Sequence, residues 1–384
     1  MKRYDSRELE AVIKVIKSGK LSPFFNNFRG GEQVQTFEVE IAEYLGVKNI
    51  VLVCNGTVSL EIALAALGVK SGDEVITTPL TFFATTSAIL RVGATPVYVD
   101  IEKDTLNINS TLIEEAITDK TRAILPVSLL GMPCDIHQIM KITKRHGLAV
   151  LHDIAQALGA TINGKKLGSI ADMASGSFQE SKQINMMGEG GWIATNDDRL
   201  ADLCRNIRNH GNVYGNLIDI ISTNARPVEV AAAFGRVQLT KLDLFNKIQI
   251  ENAEYFLKCL HPPLYYVYKN IPKGYEPIYL LIPTFLTNGR ISSPHIRDDL
   301  IKYLTAEGVS KGVPGQNVGY YKALMYEHPI VQNSPKYKKP DCPVAEWMRD
   351  HIVLFDVHRW HAKAEVTKTI SIINEWAEHV AIQN

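Results

Sequence analysis

Five short apolar segments alternate with segments of helix length between residues 50 and 151, and this alternation restricts the fold more than any other feature. The five segments are bounded by turn residues and rich in valine and isoleucine, which is typical of strands buried on both faces of a sheet. They cover residues 50–53, 74–77, 96–99, 123–127 and 148–151. Strands that alternate with helices build a mostly parallel sheet. The sequence therefore predicts an α/β fold in which helices sandwich such a sheet.

Helical periodicity predicts the elements around these strands. Between the strands, the predicted helices cover residues 57–67, 82–92, 111–117 and 136–146. The third of them opens with a capping-box pattern that runs from Thr111 to Glu114. Before and after the strands, further helices are predicted at residues 7–17, 36–45, 199–208, 228–241 and 250–260. A hairpin that turns at Asn163-Gly164 and a strand at residues 192–195 complete the prediction.

The spacing of the pattern becomes irregular from about residue 245, where prolines follow one another at 262, 263, 272, 277 and 283. The chain has 384 residues, which exceeds the usual size of one domain. We therefore expect a large domain at residues 1–244, including an N-terminal helical segment, and a smaller C-terminal α+β domain at residues 245–384.

Charge and composition exclude several classes of partner. Lysine plus arginine equals aspartate plus glutamate at 41 each, so nothing indicates nucleic acid or an anionic membrane surface. The sequence shows no export signal and no apolar run of about 18 residues. The five cysteines are scattered without a C-x-x-C pair, and the eleven histidines lack metal-ligand spacing, so that His152 and others are expected on the surface or in loops. We expect a cytoplasmic protein without a metal site, whose partner is a small molecule or another subunit.

Asn55-Gly56-Thr57 stands where a predicted strand ends and a predicted helix begins. The free backbone N–H groups of such a helix start can bind an anion, and Thr57 adds a hydroxyl. An ordinary helix cap by Asn55 or Thr57 would give the same sequence. The segment is therefore a candidate phosphate site.

Two further side chains follow predicted strand ends, where open α/β sheets bind their ligands. Asp153 could pair with a protonated ring nitrogen, although a helix N-cap or a salt bridge would also account for it. Phe82 could stack on a flat ring, although an aromatic residue at such a place is more often part of a core.

One lysine, Lys182, lies among small and apolar residues just before the glycine-rich stretch that ends at Gly191. A lysine in such a place can lose hydration and become a nucleophilic amine. The alternative is a surface lysine beside a tight hairpin, since most lysines are solvated. A phosphate site, a carboxylate, an aromatic ring and a reactive lysine are together the parts of a pyridoxal phosphate site.

The motifs resemble, in order and over most of the chain, the sugar aminotransferases of the DegT/DnrJ/StrS type, which are fold type I pyridoxal phosphate enzymes. The landmarks of the resemblance are Gly72-Asp73-Glu74-Val75-Ile76, Gly93-Ala94-Thr95-Pro96, Asp153 through Ala160, Ser177-Phe178-x3-Lys182, Gly188 through Gly191, Asn224-Ala225-Arg226 and Gln238-Leu239-x-Lys241-Leu242-Asp243. Gln179 stands where many members carry histidine, and members that act on cyclitols are similar in having glutamine there.

The resemblance implies how each candidate residue would bind pyridoxal 5'-phosphate. Lys182 would form the Schiff base, Asp153 would pair with the pyridine nitrogen, and Gln156 would lie near the ring hydroxyl. Phe82 would stack on the ring.

The phosphate group would be held by Gly56, Thr57 and Ser177. By the same resemblance, Asn224 would reach the phosphate from the neighbouring subunit, which implies a homodimer with shared active sites.

The implied activity is transfer of an amino group from glutamate or glutamine to a keto sugar or to a keto cyclitol. If the acceptor is a keto sugar, we expect it to be linked to a nucleotide. Pyridoxamine 5'-phosphate would be the intermediate form of the cofactor. The alternatives are a keto-sugar dehydratase of the same fold and a catalytically silent binding or regulatory protein. Such dehydratases carry histidine at the position of Lys182, so the lysine favours the aminotransferase. We expect the acceptor pocket in irregular segments, at residues 211–223 and 315–321.

Overall fold

A seven-stranded sheet forms the centre of the computed structural model, which describes residues 3–24, 27–213, 216–217, 219–261, 264–268, 270–286, 294–307, 323–334, 337–356 and 363–383. Across the sheet, the strands follow the order β1 (Asn49–Val53), β9 (Gly191–Thr195), β8 (Met173–Ser177), β5 (Ala149–Asp153), β4 (Thr121–Leu125), β2 (Glu74–Thr77) and β3 (Thr95–Tyr98). β9 pairs antiparallel with both β1 and β8, whereas the other neighbours are parallel. The prediction of a mostly parallel α/β sheet is therefore confirmed.

Shorter strands form three small sheets beside the large one. β6 (Thr161–Ile162) and β7 (Lys165–Lys166) make a hairpin, and β13 (Tyr275–Glu276) pairs with β6. The hairpin turns at Asn163 and Gly164, which both have positive φ, as an Asn-Gly turn requires. The remaining short strands are β10 (Asn212–Val213), β11 (Asn216–Leu217), β12 (Leu264–Tyr266), β14 (Ile282–Leu286) and β15 (Ile352–Phe355).

The helices cover the sheet and build the rest of the described chain. They are α1 (Ser6–Ser18), α2 (Glu32–Leu45), α3 (Gly56–Ala66), α4 (Ala84–Arg91), α5 (Ile136–His146), α6 (Asp198–Arg208), α7 (Glu229–Leu239), α8 (Leu242–Cys259), α9 (Pro294–Ala306), α10 (Pro329–Gln332), α11 (Pro343–His351) and α12 (Lys363–Gln383). Helix α8 continues across residue 244, and the division of the chain into two domains near that residue stays a prediction. None of the helices in the described ranges has the length and hydropathy that a membrane span requires.

Alternate residues of β1 enter two separate hydrophobic cores, because successive side chains of a strand point to opposite faces. Val51 and Val53 belong to the core that contains α3, while Ile50 and Leu52 belong to the core that contains α2. The sheet is thus covered by helices on both sides, as its continuous apolar strands predict.

The structure differs from the sequence prediction at several places, and two of these concern the elements around the large sheet. Residues 110–116 form two 3-10 turns rather than a helix, because Asn109 Oδ1 accepts hydrogen bonds from both the N–H and the hydroxyl of Thr111 at 3.1 and 2.7 Å. Strand β8 was not predicted, since its sequence Met-Ala-Ser-Gly-Ser lacks β-branched residues. Its residues are nevertheless buried, and a Cβ on Gly176 would lie 2.1 Å from the Trp192 ring.

Candidate active site

A cavity of 770 Å³ opens over the carboxyl ends of several strands of the large sheet. The structure brings most of the predicted site residues to it, from the segments that follow β1, β2, β5 and β8. The predicted residues that line it are Gly56, Thr57, Phe82, Asp153, Gln156, Ser177 and Lys182. Ligands of open α/β sheets bind at this edge, so the position of the cavity agrees with the expectation from sequence.

The start of α3 forms one end of the cavity. Asn55 is the N-cap, and its Oδ1 accepts a hydrogen bond from the Val58 N–H at 2.9 Å. The N–H groups of Gly56 and Thr57 have no acceptor within the helix, because the first turn of a helix lacks preceding carbonyls. A Cβ on Gly56 would lie 2.8 Å from Ser177 Cβ, so glycine allows α3 to approach the end of β8 closely. Two backbone donors and the Ser177 hydroxyl therefore meet at a place that suits an anion.

Asp153 stands at the end of β5 and is only 6% exposed. Its Oδ1 accepts a hydrogen bond from the Ala155 N–H at 3.0 Å, and its Oδ2 accepts one from Thr85 Oγ1 at 3.2 Å. Burial raises the pKa of the Asp153 carboxyl, while these hydrogen bonds and the charge of Lys182 oppose that rise. The result is an oriented carboxylate with a cationic neighbour in a place of low polarity.

Lys182 lies on the lysine loop, by which we mean residues 178–190 between β8 and β9. The loop is closed by hydrogen bonds from the Phe178 N–H to the Gly190 carbonyl at 2.8 Å and from the Glu180 N–H to the Gly188 carbonyl at 2.9 Å. Burial lowers the pKa of Lys182 below its ordinary value of 10.5, and the charges of Asp153 and Glu189 oppose that change. A lowered pKa increases the fraction of neutral amine, which is the form that acts as a nucleophile or a base.

Two glutamine side chains line the cavity, and backbone donors fix the orientation of both. Gln156 Oε1 accepts a hydrogen bond from the Leu130 N–H at 2.8 Å, and Gln179 Oε1 accepts one from the Ser181 N–H at 2.7 Å. A backbone N–H can only donate, so it must face the oxygen of each carboxamide. Neither NH2 group donates to another of the described residues, which leaves both as hydrogen-bond donors for a ligand.

Phe82 is 43% exposed at the rim of the cavity, just before α4 begins at Ala84. Two residues of the site were not predicted from the sequence: Thr85, which donates a hydrogen bond to Asp153, and Glu189, whose charge raises the pKa of Lys182. Thr85 lies in the first turn of α4, three residues after Phe82, and this closeness in sequence is a signal that could have indicated it. The effect of Glu189 on Lys182 depends on the path of the lysine loop, so no local pattern in the sequence predicts it.

His152 is completely buried, and our expectation that it lies on the surface or in a loop was wrong. It belongs to β5, and its Nε2 lies 2.8 Å from Ser128 Oγ and 3.4 Å from Cys134 Sγ. Burial lowers the pKa of His152 to about 3, so the ring is neutral at physiological pH. As the neighbour of Asp153 on a strand, His152 points to the opposite face of the sheet and helps to pack β5.

Asn224 does not line the cavity of its own chain. Its side chain is exposed, and its Oδ1 accepts a hydrogen bond from Arg226 Nε at 2.9 Å. The next residue, Ala225, accepts a hydrogen bond from the Cys54 N–H at 3.0 Å, so this segment lies against the end of β1. The role of Asn224 in the site of a neighbouring subunit stays a prediction. Residues 315–321, expected in the acceptor pocket, lie outside the described residues.

The residues present fit pyridoxal phosphate. The close approach of Gly56 to Ser177 brings the backbone donors at the start of α3 and the Ser177 hydroxyl together, as a phosphate group requires, and the buried Asp153 offers a negative charge for a ring nitrogen. Lys182 lies on the same cavity with a lowered pKa. The described residues contain no group of three histidine, cysteine or acidic side chains that could hold a metal ion.

Comparison with known proteins gives a consistent result. Residues 2–374 match the family described as the DegT/DnrJ/EryC1/StrS aminotransferase family. The chain is 38% identical over 316 residues to a Geobacillus stearothermophilus protein named "Pleiotropic regulatory protein", and the match covers 82% of each chain. It is 32% identical to a UDP-N-acetyl-3-dehydro-alpha-D-glucosamine 3-aminotransferase of Acidithiobacillus ferrooxidans, covering 89% of this chain and 88% of that one. The solved structure of an aminotransferase from Psychrobacter cryohalolentis superposes with a TM-score of 0.86 and 29% identity, covering 99% of this chain and 98% of that one.

Proposed function

Since this chain belongs to the DegT/DnrJ/EryC1/StrS aminotransferase family, we propose that it transfers an amino group from glutamate or glutamine to a nucleotide-linked keto sugar or a keto cyclitol. The family assignment confirms the resemblance found in the sequence, and with it the prediction of an aminotransferase. The relative from Acidithiobacillus ferrooxidans is named for amino transfer to a nucleotide-linked dehydro sugar, which supports this class of acceptor.

The observation that carries the proposal is the placement of Lys182 and Asp153 on one cavity, with the start of α3 at its end. Gly56, Thr57 and Ser177 bind the phosphate group of pyridoxal phosphate in this proposal. Bound pyridoxal phosphate supplies an electron sink and carries the amino group between the two half-reactions.

Each remaining residue of the site holds or moves a proton, or orients the ring. Asp153 keeps a proton on the ring nitrogen, because a buried carboxylate strongly favours a cationic partner. Phe82 covers one face of the ring, and Gln156 donates its NH2 group to a ring oxygen. Lys182 would hold the cofactor through Nζ, and the neutral amine, once the amino donor has released it, would accept the proton from the α-carbon of that donor.

The two glutamine side chains divide between cofactor and substrate in this proposal. The NH2 group of Gln156 is used on the ring oxygen of the cofactor, and that of Gln179 remains to donate to a carboxylate, carbonyl or hydroxyl oxygen of the substrate. Glutamate and keto sugars are rich in such acceptors. We assign Gln179 to the substrate side of the cavity, because it belongs to the lysine loop beside Lys182.

We also propose that the active protein is a homodimer in which Asn224 of each subunit completes the phosphate site of the other. The exposed position of Asn224 outside its own cavity supports this arrangement, since its side chain is accessible to a second subunit.

The proposed function is tested by recording the absorption spectrum of the purified protein with pyridoxal phosphate, before and after addition of glutamate or glutamine. We expect a visible band that the donor bleaches, and an aminated product when a keto-sugar nucleotide or keto cyclitol follows. Lys182→Ala should abolish both changes, whereas the matched variant Lys165→Ala, at an exposed lysine of the β6–β7 hairpin, should preserve them. Full turnover by Lys182→Ala would refute the mechanism.

The same experiment separates two other functions. The 38%-identical relative named as a regulatory protein raises the possibility of a silent binding protein, which would show no donor-dependent bleaching. A dehydratase would remove oxygen from the keto sugar without adding nitrogen, and mass spectrometry of the product distinguishes that outcome from amination.

A further inference from the structure

The N-terminal segment Arg3–Asp5 joins the lysine loop to helices α1 and α7, although about 180 residues separate it from the loop in sequence. We propose that Arg3 and Tyr4 are positioning residues that clamp the lysine loop and so hold Lys182 in place. The proposal rests on the proposed function only in taking Lys182 as the reactive amine. The contacts themselves are independent of any ligand.

The part of the lysine loop that contains Lys182 lies beyond the hydrogen bonds that close the loop. Its closing hydrogen bonds join residues 178 and 180 to residues 186, 188 and 190, so that Lys182 lies in the segment between them. The Lys182 N–H donates to the Gln179 carbonyl at 2.9 Å. Met187 and Gly188 have φ values of 55° and 97°, and the turn through Met187 is therefore strained for a side-chain-bearing residue. External contacts on both limbs of the loop would restrict the backbone that carries Lys182.

Arg3 binds the limb that precedes Lys182. Its guanidinium donates to the backbone carbonyl of Glu180 and forms an ion pair with the Glu180 carboxylate at 3.5 Å. The Arg3 side chain is only 19% exposed, whereas that of Glu180 is 63% exposed. The contact with the carbonyl is the important one, because it restrains the backbone two residues before Lys182 and is charge-assisted.

Tyr4 binds the limb that follows Lys182. Asn185 Nδ2 donates to the Tyr4 hydroxyl at 3.0 Å, while Asn185 Oδ1 accepts a hydrogen bond from the Gly188 N–H at 3.1 Å. Asn185 is buried and therefore links Tyr4 directly to the left-handed turn of the loop. The Tyr4 ring packs against Phe234 of α7, with 5.5 Å between ring centroids.

The clamp itself is fixed to α1, to α7 and to Lys241, the N-cap of α8. Gln238 Nε2 donates to the Arg3 carbonyl at 3.1 Å and to Glu8 Oε1 at 2.6 Å. Lys241 Nζ lies 3.0 Å from Asp5 Oδ2 and also pairs with Glu8, which is 2% exposed. Because Glu8 and Lys241 are both buried, these contacts hold residues 3–5 in place, and the clamp restrains the loop in turn.

Two variants each remove one contact of the clamp, and a third variant is a matched control. Tyr4→Phe deletes only the hydroxyl and keeps the ring on Phe234, so it should fold normally. Arg3→Ala deletes the contact with Glu180. Arg7→Ala removes an arginine in the first turn of α1, which pairs with Asp5 at 2.8 Å on the protein surface and makes no contact with the lysine loop in the described structure.

The first measurement is hydrogen exchange of the full chain, read at the amides of Glu180, Lys182, Met186 and Gly188. Loss of one restraining hydrogen bond should accelerate exchange at these amides by about five- to tenfold in Tyr4→Phe and Arg3→Ala. Exchange in β8 and β9 should stay unchanged in both variants, and Arg7→Ala should match the wild type throughout.

The second measurement is the pH dependence of acetic anhydride labelling at Lys182, followed by mass spectrometry without added cofactor. A looser loop admits water to the amine, so the apparent pKa of Lys182 should rise toward 10.5 in the two clamp variants and not in Arg7→Ala.

Unchanged exchange in the lysine loop of both Tyr4→Phe and Arg3→Ala would overturn the clamp, and so would equal acceleration across β8 and β9, which would indicate a general loss of stability. Equal loosening by Arg7→Ala would overturn it as well. The loop could loosen in the clamp variants of a protein whose visible band is bleached by neither glutamate nor glutamine. That result would support the clamp and refute the proposed function, so the two failures are distinguishable.

Discussion

The contact between the start of α3 and the end of β8 can be tested with the substitution Gly56→Ala. The added Cβ would lie 2.8 Å from Ser177 Cβ and 3.1 Å from Ser177 Oγ. Carbon atoms in ordinary contact are about 3.5–4.0 Å apart, so one of the two elements must move by roughly 0.7 Å. Overpacking of this kind lowers the free energy of unfolding by about 1–3 kcal/mol. Alanine in a helix restores up to about 1 kcal/mol relative to glycine, so we expect a net loss of roughly 1–2 kcal/mol.

The substitution Ser177→Gly removes the Cβ that Gly56→Ala would meet. The next neighbour of the new methyl group is the Gly176 carbonyl oxygen at 3.4 Å, which is an acceptable contact. In the double variant, the clash is therefore relieved, and the two substitutions should show a favourable coupling energy of roughly 1–2 kcal/mol. Ser177→Gly alone also loses the Oγ acceptor of the Gln179 N–H at 3.2 Å.

Urea unfolding of the four proteins in the cycle measures the coupling energy, and titration with pyridoxal phosphate measures the affinity of the site. We expect the double variant to regain stability without regaining affinity, because the hydroxyl of Ser177 is absent from it. Stabilities that add within about 0.3–0.5 kcal/mol would show that the two residues do not interfere, and would refute the close approach on which the phosphate site depends.

Three further predictions concern the charge of the lysine, the dimer and the buried ion pair. Asp153→Asn removes a charge that raises the pKa of Lys182, so that pKa should fall further below 10.5, and acetic anhydride labelling of Lys182 should begin at lower pH than in the wild type. Lys182→Ala and Asn224→Ala should each have little activity, yet a refolded equal mixture should regain about a quarter of the wild-type rate if the sites are shared across a two-fold dimer. No recovery would place Asn224 in its own site or outside any site. Arg208→Met leaves Glu38 buried without the arginine that lies 2.9 Å away, and should cost about 3–5 kcal/mol in urea unfolding; adding Glu38→Leu should recover much of that loss.

Hydrophobic pattern predicts those parts of this fold in which local and tertiary preferences agree. The bounds predicted for β2 and α5 coincide with the structure. The predicted start of β1 and both predicted ends of α3 are displaced by one residue. The candidate residues at strand ends also reach one cavity, since parallel strands place their carboxyl ends on the same edge. Pattern fails where a side chain competes with the helix, as Asn109 does, and where a strand is built from small residues, as β8 is.

The orientation of the site depends on contacts between residues that are distant in the sequence. Gln156 is oriented by the Leu130 N–H, and Leu130 itself has a φ of 53°, which no local pattern predicts for a leucine. The clamp by Arg3 and Tyr4 crosses about 180 residues. Such contacts follow from the folded arrangement of several elements, and a single sequence contains no periodic signal for them.

The small residues that concealed β8 from sequence analysis are the reason that the site can form. On one face of β8, Ser175 contacts Ser59 of α3 and Ser177 faces Gly56, so α3 can lie directly on the strand. On the other face, Gly176 makes room for the Trp192 ring. Larger side chains would give β8 a recognisable strand pattern and would push the N–H groups of α3 away from the strand end. Ser175 is also paired with Asp153 across the sheet, which places the carboxylate beside the strand that leads into the lysine loop. The phosphate site, the carboxylate and the lysine are thus brought together by the absence of bulk at the centre of the sheet.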